Sequence, residues 1–199
     1  ELNSQDSIEK NLETKVLDKK EFLHNEVEFI LREELREPRT YLSILKAISW
    51  GKTKASEIIN ETGLEKNVLF KYLGVLEDLK LIIRDVPVTE DNKSKSKKGL
   101  YIIADNFVRT WFQYVYPYKS NLEIGEYAET MSKFKTGFPI LVSSVYEQVC
   151  QELLKEKQNT IFSFGKVGRW WNNDNEIDIV GLNSDTKQII FCECKWSNK

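Results

Sequence analysis

The pattern that most constrains the fold lies near the C-terminus, where two strand-like stretches carry charged residues. The first stretch begins Glu176-Ile-Asp178-Ile-Val-Gly, and the second runs Ile189-Ile-Phe-Cys192 before Glu193-Cys-Lys195. A run that is apolar on both faces is typical of an interior strand. A period of two places Glu193 and Lys195 on the same face of that strand, where an aspartate from a neighbouring strand can converge on them. Charges in such a place are costly unless they are paired or bind a metal ion.

Two carboxylates and one ammonium group at close quarters suit a divalent cation and an activated water molecule. The pattern resembles the active-site core of PD-(D/E)xK nucleases, with Asp178 as the first acid and Glu193-Cys194-Lys195 as the Glu-x-Lys motif. The alternative interpretation is an amphipathic hairpin whose charges are solvated, because Glu-x-Lys on its own is common.

Composition narrows the chemistry further. The net charge of the 199-residue chain is only −2, so a nucleic-acid surface must be local. The three cysteines are predicted to be core thiols of a reducing cytosol, and we expect a cytoplasmic protein. His24 is the only histidine, which disfavours a zinc site and removes Ser-His-Asp and Cys-His catalysis from consideration. No apolar run is long enough to predict a membrane span, and the first residues resemble no signal peptide.

The middle of the chain is predicted to form a winged helix-turn-helix over residues 38–104. Apolar spacing indicates three helices, with a tight turn at Gly63, and a hairpin with strands over 82–88 and 100–103. The candidate DNA-binding residues lie on the third helix and at the hairpin tip: Lys66, Asn67, Lys71, Lys93, Lys95, Lys97 and Lys98. We expect double-stranded DNA as the partner. The alternatives are a solvated lysine-rich loop and a winged helix that makes protein contacts.

The triplet Gly51-Lys52-Thr53 resembles the end of a phosphate-binding loop. That pattern requires a glycine five residues before Gly51, where this chain has Lys46, and the triplet is expected between two helices. We therefore expect no ATP binding there.

The remaining segments complete an α+β prediction: a helical N-terminal segment and a winged helix-turn-helix, followed by a truncated αβββ domain of the restriction-endonuclease type. Residues 1–37 are expected to form two helices, over 7–20 and 22–36, and residues 105–136 a helical linker. The aromatic residues after Asp105 are expected to pack in a core, with base stacking as the alternative. The nuclease-like domain is placed at 137–199, with a helix that begins at Pro139 and strands over 160–167, 176–182 and 188–196.

Residues 25–199 resemble an archaeal family that joins a P-loop AAA-type ATPase to a winged helix and a C-terminal nuclease-like domain of unknown function. The stretches that carry the resemblance are Glu26–Arg39, Gly99-Leu-Tyr with Asp105-Asn-Phe, Glu176-Ile-Asp-Ile-Val-Gly and Glu193-Cys-Lys-Trp196. The resemblance implies that residues 1–37 are a remnant of the ATPase lid. It also implies that the helix and fourth strand after the third strand are missing here. We therefore expect the C-terminal sheet to self-associate or to pack on the winged helix.

The resemblance also implies roles for individual side chains. Asp178 and Glu193 would hold Mg²⁺ or Mn²⁺, and Lys195 would position the attacking water and offset charge on the phosphate. Glu147 would supply the acid of the domain's first helix, with Glu176 as an extra ligand. The function expected is a DNA-associated module with a nuclease-type site, as in a Mg²⁺-dependent DNA endonuclease. The alternative is a non-catalytic DNA-binding or protein-interaction module of a regulatory archaeal ATPase.

Overall fold

The computed structural model describes residues 2–157, 160 and 163–196, and it confirms the predicted α+β class. The chain divides into two units, one made of residues 1–84 and 100–137 and the other of residues 85–99 and 138–199. The first unit is largely helical. The second contains a three-stranded sheet and the last part of a long helix.

The N-terminal helices are shorter than the two predicted ones. They are α1 (Ile8–Asn11), a π-helix (Leu12–Leu17) and α2 (Phe22–Glu34). Ser7 caps α1, because its side chain accepts the backbone amide of Lys10 at 3.2 Å. The carbonyl oxygen of Val16 in the π-helix lies 3.1 Å from Nδ1 of the fully buried His24. This side-chain contact joins the π-helix to α2.

The middle of the chain forms the three helices and the two strands that its apolar spacing predicts. They are α3 (Pro38–Ser49), α4 (Ala55–Thr62), α5 (Lys66–Asp78), β1 (Ile82–Asp85) and β2 (Leu100–Ile103). Gly63 turns the chain between α4 and α5 with a φ of 68°, a left-handed conformation that favours glycine. The first strand ends at Asp85 and not at Val88 as predicted, because Pro87 has no amide hydrogen for a sheet.

The aromatic-rich segment packs in a core, as predicted. Asp105 caps α6 (Asn106–Tyr114) by accepting the amide of Val108 at 2.9 Å. Trp111 and Phe112 are fully buried, and Nε1 of Trp111 donates to the backbone oxygen of His24 at 2.7 Å. These two rings are therefore not open for stacking on bases.

Two further helices complete the helical part, α7 (Lys119–Glu123) and α8 (Ala128–Glu156). The prediction that Pro139 begins a helix is wrong, because α8 runs through this proline. A proline removes one backbone hydrogen-bond donor from a helix. The other turns of the 29-residue helix retain their backbone hydrogen bonds, so the helix continues through Pro139. The division between the two units falls within α8, after Gly137.

The sheet of the second unit is antiparallel, in the order β3 (Lys166–Trp171), β4 (Glu176–Asn183) and β5 (Gln188–Cys192). The predicted strand over 160–167 lies partly outside the described residues, and the strand observed begins later, at Lys166. The prediction for β4 is confirmed. The strand predicted over 188–196 ends early, at Cys192.

A small core lies between α8 and the sheet. It is formed by Leu154, Phe164 and Ile179. Gly181 of β4 faces a tight space, because a Cβ atom there would lie 2.8 Å from side-chain atoms of both Ile190 and Phe164. Side chains pack so closely at this point that only glycine fits without a shift.

The strand β5 forms an edge of the described sheet and is not the interior strand that its apolar sequence predicts. Its residues Ile190 and Cys192 pack against the core. Ile189 and Phe191 are 50% and 59% exposed. One side of this apolar strand is thus open in the part of the chain that the structure describes.

Candidate functional site

Asp178 is held by a backbone hydrogen bond from the segment that follows β5. Its Oδ2 accepts the amide of Cys194 at 2.7 Å, and the residue is partly buried. This bond fixes the carboxylate of the middle strand beside the Glu193–Lys195 segment.

Glu147 lies on α8, which packs on the sheet that carries Asp178, and the charges of the two side chains interact. It lies one turn before Cys150 and two turns before Leu154, both of which contact the core below the sheet. Burial raises the pKa of the Glu147 carboxyl, and the negative charge of Asp178 raises it further. Two of the four predicted catalytic residues, one from the helix and one from the sheet, are therefore close enough to interact electrostatically.

Glu193 and Lys195 are arranged differently from the predicted strand pair. Both follow the end of β5, and their side chains are 72% and 79% exposed. Nζ of Lys195 lies 3.5 Å from Oε1 of Glu193, so the two side chains pair with each other. Exposed ion pairs of this kind contribute at most about 1 kcal/mol. Either side chain can therefore leave the pair at little cost.

Sequence reasoning missed a cation in the same unit, Arg169 of β3. Its guanidinium contacts the carboxylate of Glu176, lies 3.6 Å from Asp85 and sits 5.6 Å from the ring of Trp171. Glu176, the predicted extra ligand, is thus engaged by an arginine. Burial raises the pKa of the Asp85 carboxyl, and Arg169 opposes that rise. The signal in the sequence is one arginine inside the otherwise uncharged strand end Val167-Gly-Arg-Trp-Trp171.

The three cysteines are free thiols that pack against the core, as predicted. Burial and a hydrogen bond with the Cys150 side chain raise the pKa of the Cys194 thiol to about 12. The Cys194 thiol therefore stays protonated at neutral pH, and only a thiolate acts as a nucleophile or metal ligand.

The candidate DNA-binding residues are all exposed, and they belong to both units. Those of the first unit lie in the first half of α5, and those of the second lie between Asp85 and Gly99: Lys66, Asn67 and Lys71, and Lys93, Lys95, Lys97 and Lys98. Asn92 caps a short 3₁₀ turn at this tip by accepting the amide of Lys95 at 3.2 Å. Lys98 forms an ion pair with Glu90 at 2.9 Å, so its charge is already partly balanced.

The donor set suits a hard cation only in part. Glu147 and Asp178 are neighbouring carboxylates whose mutual repulsion a bound divalent cation would relieve, and oxygen ligands are those that Mg²⁺ and Mn²⁺ favour. Within residues 2–157, 160 and 163–196, no three Cys, His, Asp or Glu side chains are arranged to hold a metal ion. Glu193 would have to leave Lys195 to become a third ligand.

In the same described ranges, no helix has the length and apolar character needed to cross a membrane.

The raised pKa of Glu147 predicts a pH-dependent gain in stability on neutralising this residue. With no divalent cation present, Glu147→Gln is expected to raise the melting temperature at about pH 7, because the ionised carboxylate is disfavoured in the folded state. The gain should vanish below about pH 4, where the carboxyl of Glu147 is protonated and is therefore as neutral as the glutamine that replaces it. Thermal melts followed by circular dichroism at both pH values measure it. The control is Glu152→Gln, an exposed acid on the same helix; an equal gain there would contradict the assignment.

The C-terminal part of the chain is similar to proteins of unknown function. Residues 111–199 match the model of a family, DUF234, described as archaeal and bacterial proteins of unknown function. The chain is 39% identical over 180 residues to an uncharacterized protein of Methanocaldococcus jannaschii. That match covers 89% of this chain but only 40% of the relative's length. No solved structure matches the chain.

Proposed function

We propose that this chain is a DNA-associated module with a metal-dependent nuclease-type site for phosphodiester hydrolysis and a winged-helix DNA reader. The observation that carries the proposal is the hydrogen bond that holds Asp178 of β4 beside the segment of Glu193 and Lys195, together with the electrostatic interaction between Asp178 and Glu147 of α8. A helix acid and a strand acid beside a Glu-x-Lys segment are the parts expected of a PD-(D/E)xK site. The further proposal is that the chain belongs to a longer cytoplasmic protein of an archaeal AAA-type ATPase family. The greater length of the Methanocaldococcus jannaschii relative supports a longer protein, and the resemblance of residues 25–199 supports the ATPase family.

The proposed roles follow from the chemistry of the side chains. Asp178 and Glu193, with Glu147, would hold Mg²⁺ or Mn²⁺. The cation supplies polarisation of a phosphoryl oxygen and a lower pKa for a bound water. Lys195 offsets negative charge on the phosphate and positions the water. The amide of Cys194 holds the carboxylate of Asp178 oriented toward this segment.

The DNA-reading role rests on element order and on charge. Three helices followed by a two-stranded sheet are the parts of a winged helix, in which the third helix contacts bases. Lys66, Asn67 and Lys71 are exposed on that helix. The lysines at the tip would contact phosphates and carry the salt-dependent part of binding.

A second candidate is a non-catalytic DNA-binding or protein-interaction module. The pairing of Glu193 with Lys195, both largely exposed beyond the end of β5, favours it, because this motif is not assembled around Asp178. The open apolar residues Ile189 and Phe191 support self-association through the sheet in either case.

The two candidates differ in one assay. Purified protein is incubated with supercoiled plasmid in Mg²⁺, in Mn²⁺ and in a chelator. The nuclease-type proposal expects nicked and linear DNA with either cation and none with the chelator. Retarded but intact plasmid under all three conditions would instead support the non-catalytic module.

Neutralising two tip lysines is expected to weaken duplex binding. Each lost phosphate contact reduces the steepness of the plot of log K against log salt by about 0.9. The double variant Lys95→Gln with Lys97→Gln should therefore reduce the steepness by nearly twice that amount. Fluorescence anisotropy of a labelled duplex across a salt series measures both effects. The matched control is Lys133→Gln with Lys135→Gln, two exposed lysines with the same spacing on α8. Equal losses in both double variants would mean that the tip makes no particular contact.

A further inference from the structure

The lysine-bearing segment 85–99 is attached along the strand β3. The amide of Val88 donates to the backbone oxygen of Arg169 at 2.9 Å. Lys166 contacts Asp91 at 2.8 Å. Gly168 lies close beneath the segment, since a Cβ atom there would be 3.4 Å from Cβ of Val88. Three features of β3 therefore attach the segment: the small residue Gly168, the backbone hydrogen bond of Arg169 and the ion pair of Lys166.

Arg169 is the centre of this attachment, because it contacts both the segment and Glu176, the acid proposed as an extra ligand of the site. Its backbone oxygen binds the segment through Val88, and its guanidinium reaches Asp85 at the segment's start. The same guanidinium contacts Glu176 of β4, two residues before Asp178. The side chains of Arg169 and Asp85 are only 29% and 26% exposed, so the pair is largely shielded from water.

We propose that Arg169 is a positioning residue that holds the lysine-bearing segment 85–99 against β3, beside the acidic site. The lysines of the segment and the acidic site can then engage the same DNA backbone. The proposal rests on the proposed function for its DNA substrate. It adds a residue and a role that neither the nuclease-like motif nor the lysine pattern contains.

The chemistry requires an arginine at this point. A guanidinium is a planar fork that can serve two carboxylates at once, whereas a lysine ammonium is a single point charge. Without it, Glu176 and Glu147 would repel each other with no arginine to offset their charges, and the partly buried Asp85 would lose the largest of the positive charges that oppose the cost of its burial. Release of Asp85 would free the beginning of the segment, and the lysines at its tip would lose their fixed position.

The first test measures the attachment itself. Arg169→Met keeps an unbranched side chain and removes the charge. Two rates are expected to rise about tenfold: tryptic cleavage after the lysines of the segment, and hydrogen exchange of the Val88 amide. Asp85→Asn, which breaks the same pair from the other side, should do the same if the first variant folds poorly. The matched control is Lys187→Met, which removes an exposed lysine from the turn between β4 and β5, away from the segment, and should leave its protection unchanged. Unchanged protection in both Arg169→Met and Asp85→Asn would overturn the proposal.

The second test asks whether the attachment acts through the lysines. Duplex affinity is measured for Arg169→Met alone, for Lys95→Gln with Lys97→Gln, and for the triple variant. The expected result is a several-fold loss from Arg169→Met in the wild-type background and almost none once the lysines are removed. Equal losses in both backgrounds would mean that Arg169 has only a structural role, and the proposal would fail. This coupling is measured by binding without cleavage, so absence of plasmid nicking would reject the nuclease function and leave the inference standing.

Discussion

Replacing Trp111 with alanine is expected to lower the free energy of unfolding of the first unit by about 3–5 kcal/mol. The indole is fully buried, packs edge-to-face on Phe112 with ring centroids 5.1 Å apart, and donates to the backbone oxygen of His24. The substitution removes this packing and the indole hydrogen bond to the backbone oxygen of His24. Urea denaturation followed by circular dichroism measures the loss.

The matched control is Trp50→Ala. Trp50 is 49% exposed, and its main contact is the ammonium group of Lys46, which is 4.5 Å from the ring centroid. Its loss should change the free energy of unfolding by about 1 kcal/mol or less. Similar destabilisation by both variants would contradict the placement of Trp111 at the centre of the helical core.

Asp178→Asn is expected to reduce cation-dependent plasmid nicking about 10²-fold or more, because a lost cation ligand removes several kcal/mol of transition-state stabilisation. Asparagine keeps an oxygen that can accept the amide of Cys194, so the fold should be retained. Asp174→Asn, an exposed aspartate in the turn before β4, should nick at the wild-type rate. Nicking by Asp178→Asn at the wild-type rate would show that the activity arises elsewhere or from a contaminant.

Local rules account for most of the fold. The helices α4 and α5 and the turn between them follow from apolar spacing and from Gly63, whose left-handed backbone conformation few other residues adopt readily. The errors occur where a longer-range effect overrides a local signal. Pro139 is a reasonable helix start in isolation, yet α8 is already formed before it. The apolar run of β5 resembles an interior strand, but which strands flank it depends on the whole sheet.

The candidate site divides in the same way. Asp178, Glu193 and Lys195 carry a local pattern, and Glu147 was implied by resemblance. Arg169 carries almost no local signal, because its importance depends on Asp85. Asp85 lies 84 positions earlier in the chain and contacts Arg169 only in the folded unit. Contacts between residues so far apart follow from packing and not from spacing.

Binding of Mn²⁺ to the purified chain, followed by the electron paramagnetic resonance signal of the free ion, tests the central claim most directly. The account predicts that the wild-type chain binds the ion and that Glu147→Gln and Asp178→Asn each weaken binding about tenfold or more. Asp174→Asn should bind as the wild type does. Absence of binding at millimolar Mn²⁺, or binding that survives both site substitutions, would contradict the claim that these two acids form a cation site.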